Sequence, residues 1–209
     1  MGVMVTPAVR AVVFDLGGVL VDWNPRYLYR RLFQGDDAAM EQFLAEVCTP
    51  AWNDEQDRGR PFAEACALLV RAHPDRRELI EAWPTHFDET MAGPIPGTVD
   101  ILAALRARGT PLYALSNWSA ETFPRAQARF PFLEWFDGVV ISGALRITKP
   151  DPAIYRHLLE RYALRAEDTV FIDDAPRNVE AASALGLRAI RFTDAAALRA
   201  ELIALQLLE

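Results

Sequence analysis

The sequence predicts an open, doubly wound α/β fold: a parallel five-stranded sheet with a small, all-helical insertion after the first strand. Two observations carry this. Short apolar runs alternate with helical patterns along most of the chain, as expected of strand–helix–strand units around a parallel sheet. One stretch, from about Trp23 to Met91, breaks the alternation and holds helical patterns only.

Ala11–Phe14, Leu112–Leu115, Val139–Ile141 and Val170–Ile172 are continuous apolar runs, and Arg188–Phe192 reads as a final strand. Runs without in-and-out alternation suit strands buried on both faces. Between them, Thr98–Arg108 aligns Val99, Leu102 and Leu105 and stops at Gly109 and Pro111. Asp151 can cap a helix that begins on Pro152 and aligns Ile154, Leu158 and Tyr162. A further helix, Arg177–Leu185, stops at Gly186.

The insertion reads as four helices. Asn24-Pro25 opens the first; Met40, Phe43, Leu44 and Val47 mark the second; Pro61 opens the third; Leu79, Ile80, Trp83 and Phe87 mark the fourth. Each has one apolar stripe, so the four can close a small bundle. The expected division is residues 1–21 and 93–209 as the α/β core, and 22–92 as a four-helix cap over the C-terminal end of the first strand. Trp52, Asn53, Asp57 and Arg58 read as a polar link between cap helices that can wall a pocket.

The chain has 209 residues, 51% of them apolar, enough for a sizeable core without disulfides. The net charge of −7 lacks the basic face that a nucleic acid or an anionic membrane requires. No apolar run approaches the ~18 residues of a membrane span, and the N-terminus lacks a signal-peptide layout. A cytoplasmic protein is expected, with Cys48 and Cys66 as reduced core cysteines. Met1-Gly2-Val3-Met4-Val5-Thr6 fits a myristoylation pattern, but one short enough to match by chance, and it is not read as an anchor. His73, His86 and His157 have no partners at metal-ligand spacing. Nothing sets an oligomeric state.

The chemistry lies at the strand ends. Three strands end in polar residues, namely Asp15, Ser116 and Asp173-Asp174, and Lys149 follows the third strand. Open α/β sheets bind ligands at the carboxyl ends of their strands, so residues from both ends of the chain converge. Three carboxylates at one place need a cation, and an all-oxygen set suits Mg²⁺. Lys149 is the sole lysine among 22 basic residues; a bulky planar guanidinium substitutes poorly where a compact charge is needed. Two cations facing a carboxylate can hold a phosphoryl group, which Asp15 can attack to form an aspartyl-phosphate. Ser116 and Asn117, beside the Gly17-Gly18 turn, can hydrogen-bond the transferring group. Water then releases phosphate. No Walker loop is present, which disfavours a nucleotide triphosphatase.

These residues resemble a known family. Asp15-Leu16-Gly17-Gly18-Val19-Leu20-Val21-Asp22, Leu115-Ser116-Asn117, Lys149-Pro150 with Tyr155, and Phe171-Ile172-Asp173-Asp174 look like the four motifs of the haloacid dehalogenase superfamily, from about Arg10 to Phe192. Its bacterial glucose-1-phosphate phosphatase branch is the nearest likeness. The resemblance implies a magnesium-dependent phosphatase of small phosphorylated metabolites, with sugar phosphates favoured. It implies Asp15 as nucleophile, its carboxylate and the Gly17 carbonyl on the metal, Asp174 as the direct third ligand with Asp173 behind it, and Ser116 and Lys149 on phosphate. One position departs. Phosphatases of this superfamily usually carry a general acid/base Asp two residues after the nucleophile, where this chain has Gly17. Water, Asp22 or Asp57 must then supply the proton, or the leaving group must depart readily. A 2-haloacid dehalogenase using the same nucleophile, and a non-catalytic binding module, are the other readings. The Asp173-Asp174 pair favours the metal-using phosphatase.

Overall fold

A computed structural model describes residues 9–209; the myristoylation pattern lies outside them. In chain order the strands are β1 (Ala11–Phe14), β2 (Val21–Trp23), β3 (Met91–Pro94), β4 (Leu112–Ser116), β5 (Gly138–Ile141), β6 (Thr169–Asp173) and β7 (Arg188–Arg191). The helices are α1 (Pro25–Leu32), α2 (Asp37–Glu46), α3 (Pro50–Asp57), α4 (Phe62–Ala72), α5 (Arg77–Thr85), α6 (Thr98–Ala107), α7 (Phe123–Arg129), α8 (Ser142–Leu145), α9 (Pro152–Arg161), α10 (Pro176–Ala184) and α11 (Ala195–Ala204).

Five strands form one parallel sheet in the order β5-β4-β1-β6-β7. All five coincide with the apolar runs. The side chains alternate between two cores, as the pleat requires. Val12 and Phe14 pack on one face with Ala114, Val170 and Ile172. Val13 packs on the other with Leu115, Val140 and Phe171. Ile154, Tyr155 and Leu158 of α9 cover the second face. Ile101, Leu102 and Leu105 of α6 and Leu198 and Leu202 of α11 cover the first. β1 lies between β4 and β6, so the chain turns away on both sides of it, and the crevice at its carboxyl end is the place such a sheet leaves for a ligand.

The insertion differs from expectation in two ways. It is flanked by a two-stranded antiparallel ribbon, β2–β3, pairing Val21 with Pro94 and Trp23 with Met91. Strands this short, one ending in Met91-Ala92-Gly93-Pro94, carry no readable period. It also holds five α-helices rather than four, because residues 50–57 form α3. Thr49 caps that helix, accepting the Trp52 amide at 3.0 Å, and Pro50 sits at its start. That is the same cap-then-proline device as Asn24-Pro25 and Asp151-Pro152. The stripes Met40, Phe43, Ile80 and Trp83 join the same continuous core as the sheet. Cys48 and Cys66 are free and buried; burial pushes their thiols up to about 12 and about 11, which keeps them protonated at neutral pH. Among the described residues no helix is long and apolar enough to cross a membrane.

Candidate active site

β1 ends at Phe14 with Asp15 as the next residue, and the Asp15 amide donates to the Ile172 carbonyl of β6 at 2.8 Å. The sheet therefore fixes the backbone at this carboxylate. Asp15 Oδ1 accepts three hydrogen bonds: the Leu16 amide at 2.7 Å, Ser116 Oγ at 2.8 Å and Lys149 Nζ at 2.9 Å. All three fall on one oxygen, leaving Oδ2 outside the network. Ser116 closes β4 and is buried.

Lys149 is 2% exposed and bridges two carboxylates, with Nζ 2.6 Å from Asp173 Oδ2 as well as 2.9 Å from Asp15. Its ammonium lies over the Phe171 ring, 5.6 Å from the centroid. Asn117 clamps the backbone behind it: the Lys149 amide donates to Asn117 Oδ1 at 2.8 Å, and Asn117 Nδ2 donates to the Lys149 carbonyl at 3.0 Å. Both ends of that side chain are thereby engaged. Asp173 is fully buried and similarly committed, taking Lys149 on Oδ2, the Ala175 amide on Oδ1, and Asn178 Nδ2 near both oxygens. Asp174 is exposed and faces the cavity.

Asp15, Asp173 and Asp174 each offer an oxygen within 4.8 Å of the other two. Three carboxylates against one ammonium leave an excess of negative charge, and the electrostatics reflect it. Burial pushes Asp15 up to about 7, opposed by Lys149 and reinforced by Asp173. Burial, then Asp173, raises Asp174. For Lys149, burial alone would lower the ammonium, but the two carboxylates hold it above its usual value. An oxygen-only cluster with uncompensated charge fits a hard divalent cation such as Mg²⁺. The turn supports the same placement. Gly18 has φ +78°, and a Cβ there would lie 2.7 Å from Asp174 Oδ2, so only glycine lets that carboxylate approach. Gly17 is different: a Cβ at position 17 meets nothing within 4 Å.

A cavity of about 710 Å³ opens over this cluster. Its floor includes Asp15, Gly17, Gly18, Ser116, Asn117 and Asp174. Of the four cap residues expected to wall a pocket, Asn53 and Asp57 line it; Trp52 and Arg58 do not. Trp52 packs edge-on against Trp83 and Phe62, and Arg58 pairs with Glu55 at 2.8 Å in solvent. The correction follows from the helix. Residues 53 and 57 are i,i+4 neighbours on one face of α3, whereas Trp52 and Arg58 fall off that face. Asp22 is also absent from the lining, and Tyr27 Oη lies 2.9 Å from both of its oxygens. Reading the residues alone did not single out Trp23, Trp83, Trp118 and Arg177 as cavity residues, yet all four line it. Trp118, two residues after Ser116, was the one with a positional signal.

Comparisons with known proteins agree with this geometry. A family model of haloacid dehalogenase-like hydrolases matches residues 9–186. The sesquiterpene phosphatase astK of Aspergillus oryzae is 27% identical over 92% of this chain and 94% of its own. A phosphoglycolate phosphatase of Nitrosospira multiformis is 36% identical over 85% of this chain and 80% of its own. Among solved structures, an HAD-like hydrolase from Porphyromonas gingivalis superposes with TM-score 0.73 at 23% identity, covering 96% of this chain and 98% of that one. The L-2-haloacid dehalogenase of Xanthobacter autotrophicus shares the fold at TM-score 0.65 and 20% identity, over 94% and 83% of the two chains. With the sheet order, the carboxylates at its strand ends and a match over most of the chain, the protein belongs to the haloacid dehalogenase-like hydrolases.

Proposed function

We propose that the chain is a magnesium-dependent phosphatase of small phosphate monoesters, working through an aspartyl-phosphate on Asp15. The observation that carries this is the asymmetry of Asp15. Three donors hold Oδ1, so the carboxylate is oriented with Oδ2 available as nucleophile. Asp15, the Gly17 carbonyl and Asp174 would hold the ion, with Asp173 behind them because its oxygens are already bonded. When bound, Mg²⁺ supplies positive charge against the phosphoryl oxygens and favours ionised Asp15. Lys149 supplies the second positive charge, and the Ser116 hydroxyl a hydrogen bond to the transferring group. Asn117 acts as a positioning residue, since its amide is spent on the Lys149 backbone. A dehalogenase needs no metal, and the negative excess at this site supports the metal-using reaction instead.

The cavity wall supports a revision of the substrate. The resemblance favours sugar phosphates, but Trp23, Leu44, Cys48, Trp83, Phe87 and Trp118 face this space. Of the polar side chains on the wall, Arg26 and Glu41 are engaged with each other at 2.5 and 2.7 Å and Asn53 with Asp57 at 3.1 Å, while Asp54 and Arg177 also line it. Each sugar hydroxyl set against these rings rather than against the polar side chains would lack a partner, at a cost of ~1–3 kcal/mol. A phosphate ester of an apolar or aromatic alcohol fits better, and the sesquiterpene phosphatase among the relatives supports that class. Phosphate release should be measured over alkyl, aryl-alkyl and sugar phosphates, with 2-haloacids alongside, in Mg²⁺ and in EDTA. The expected result is release in Mg²⁺ only, with kcat/KM for apolar esters at least about tenfold above sugars, or 1.4 kcal/mol. Full activity in EDTA, or halide release, would remove the phosphatase reading; a preference for sugars would remove the apolar substrate.

A further inference from the structure

Gly17 leaves the reaction without a side-chain proton donor beside the nucleophile. We propose that Asp57, carried on α3 of the inserted helices, is the general acid and base for the reaction at Asp15. This rests on the phosphatase reading above.

Placement comes first. Asp57 lines the same cavity as Asp15, Gly17 and Asp174, whereas Asp22 does not and is held by Tyr27; Asp54 and Glu41 line it too, with Glu41 paired to Arg26. Anchoring comes second. A donor on a cap helix is useful only if it is held in register with the strand ends, and here it is. Ser142 Oγ, at the start of α8, donates to the Asp57 backbone carbonyl at 2.6 Å and accepts the Trp118 amide at 3.0 Å. The next turn packs equally closely: a Cβ on Gly59, whose φ is +91°, would lie 2.7 Å from the Gly143 carbonyl. The carboxylate itself accepts from Asn53 Nδ2 at 3.1 Å, and the Ser119 backbone, in the loop after Ser116, favours its charged form. Asp57 is thus tied to the loop and helix that follow β4 and β5.

The surroundings favour a retained proton. Asp54 and Arg58 flank it on α3, Asp15 faces it from β1, and Arg146 of the turn after α8 lies behind Gly59. Burial, then Asp54 and Asp15, push Asp57 up to about 7 against the Ser119 backbone and Arg58. A carboxyl protonated below about pH 7 can donate, and its conjugate base can accept. In the first step Asp15 Oδ2 bonds to phosphorus, the bond from phosphorus to the ester oxygen breaks, and that oxygen takes the Asp57 proton. In the second, a water oxygen attacks phosphorus and gives a proton to Asp57. The bond from phosphorus to Oδ2 breaks, and inorganic phosphate leaves with Asp15 again a carboxylate and Asp57 again protonated.

Asp57→Asn separates the steps. With an aryl phosphate, whose leaving group needs no proton, the variant should release one equivalent of phenol in a burst, at a rate within about threefold of wild type. Turnover should then stall, because the phosphoenzyme lacks its base. With an alkyl phosphate the first step itself should slow by ~10²–10⁴-fold. The fall in wild-type alkyl-ester burst rate above about pH 7 should vanish in the variant. In Asp57→Asn, adding Gly17→Asp should restore alkyl-ester turnover, since position 17 has open space for a side chain. Equal slowing of both substrates without a burst, no rescue by aspartate at 17, or the same signature from Asp54→Asn would overturn the assignment. Wild-type protein that releases no phosphate from any ester would instead remove the phosphatase reading itself.

Discussion

Replacing Asp15 by asparagine is expected to lower kcat/KM on phosphate esters by on the order of 10⁴–10⁶-fold, the scale of losing a covalent nucleophile. An amide oxygen can still accept from Leu16, Ser116 and Lys149, so the local geometry survives, but an amide nitrogen cannot form an acyl-phosphate. The variant should therefore fold, which circular dichroism and a melting curve check, while phosphate release disappears. Residual activity above about one percent of wild type would mean that phosphorus is attacked by something other than Asp15.

Removing Lys149 should be almost as damaging to activity and should also destabilise the fold. The side chain is 1% exposed and bridges Asp15 and Asp173. Lys149→Met keeps the stem and deletes the charge, leaving two buried carboxylates without their cation. Breaking a buried pair from one side costs about 3–5 kcal/mol. For a chain of 209 residues this corresponds to a fall in Tm of roughly 10 °C. Asp15 already ionises above its unfolded value, and losing Lys149 raises it further. Its contribution is fully present below about pH 4 and is lost as pH rises through its folded value. The variant's deficit should thus be small near pH 4 and largest near pH 8. Lys149→Arg should retain the charge yet lose at least about tenfold in kcat/KM, because a planar fork does not fit a slot between two carboxylates over Phe171. Wild-type kinetics in Lys149→Arg would show that the single lysine is incidental.

The middle of the sheet was legible because β1, β4 and β6 are buried on both faces. Ala11–Phe14 and Val170–Ile172 have no polar residue to blur the run, and the aspartates that follow them, Asp15 and Asp173, meet at Lys149. Lys149 stood out for a compositional reason, and it lies buried between two carboxylates. The ribbon β2–β3 was not legible, since three or four residues give no period. α3 was missed although Thr49-Pro50 announced it, because Asn53, Asp54 and Gln56 interrupt any apolar stripe. That omission hid the cavity face as well: without the helix, nothing distinguishes Asn53 and Asp57 from Trp52 and Arg58. Trp83 and Phe87 lie on an apolar stripe that reads as core, and periodicity cannot tell a ring packed in a core from one lining a cavity.

The central claim is a phosphoryl group carried covalently by Asp15 in a magnesium-dependent reaction. The most direct measurement is to mix the wild-type protein with an aryl phosphate in Mg²⁺, quench in acid within the first turnover, and map the peptides by mass spectrometry. One added phosphoryl group is expected on the peptide containing Asp15, absent in EDTA and absent from Asp15→Asn. Turnover with no adduct at Asp15, or an adduct formed equally well without the metal, would contradict it.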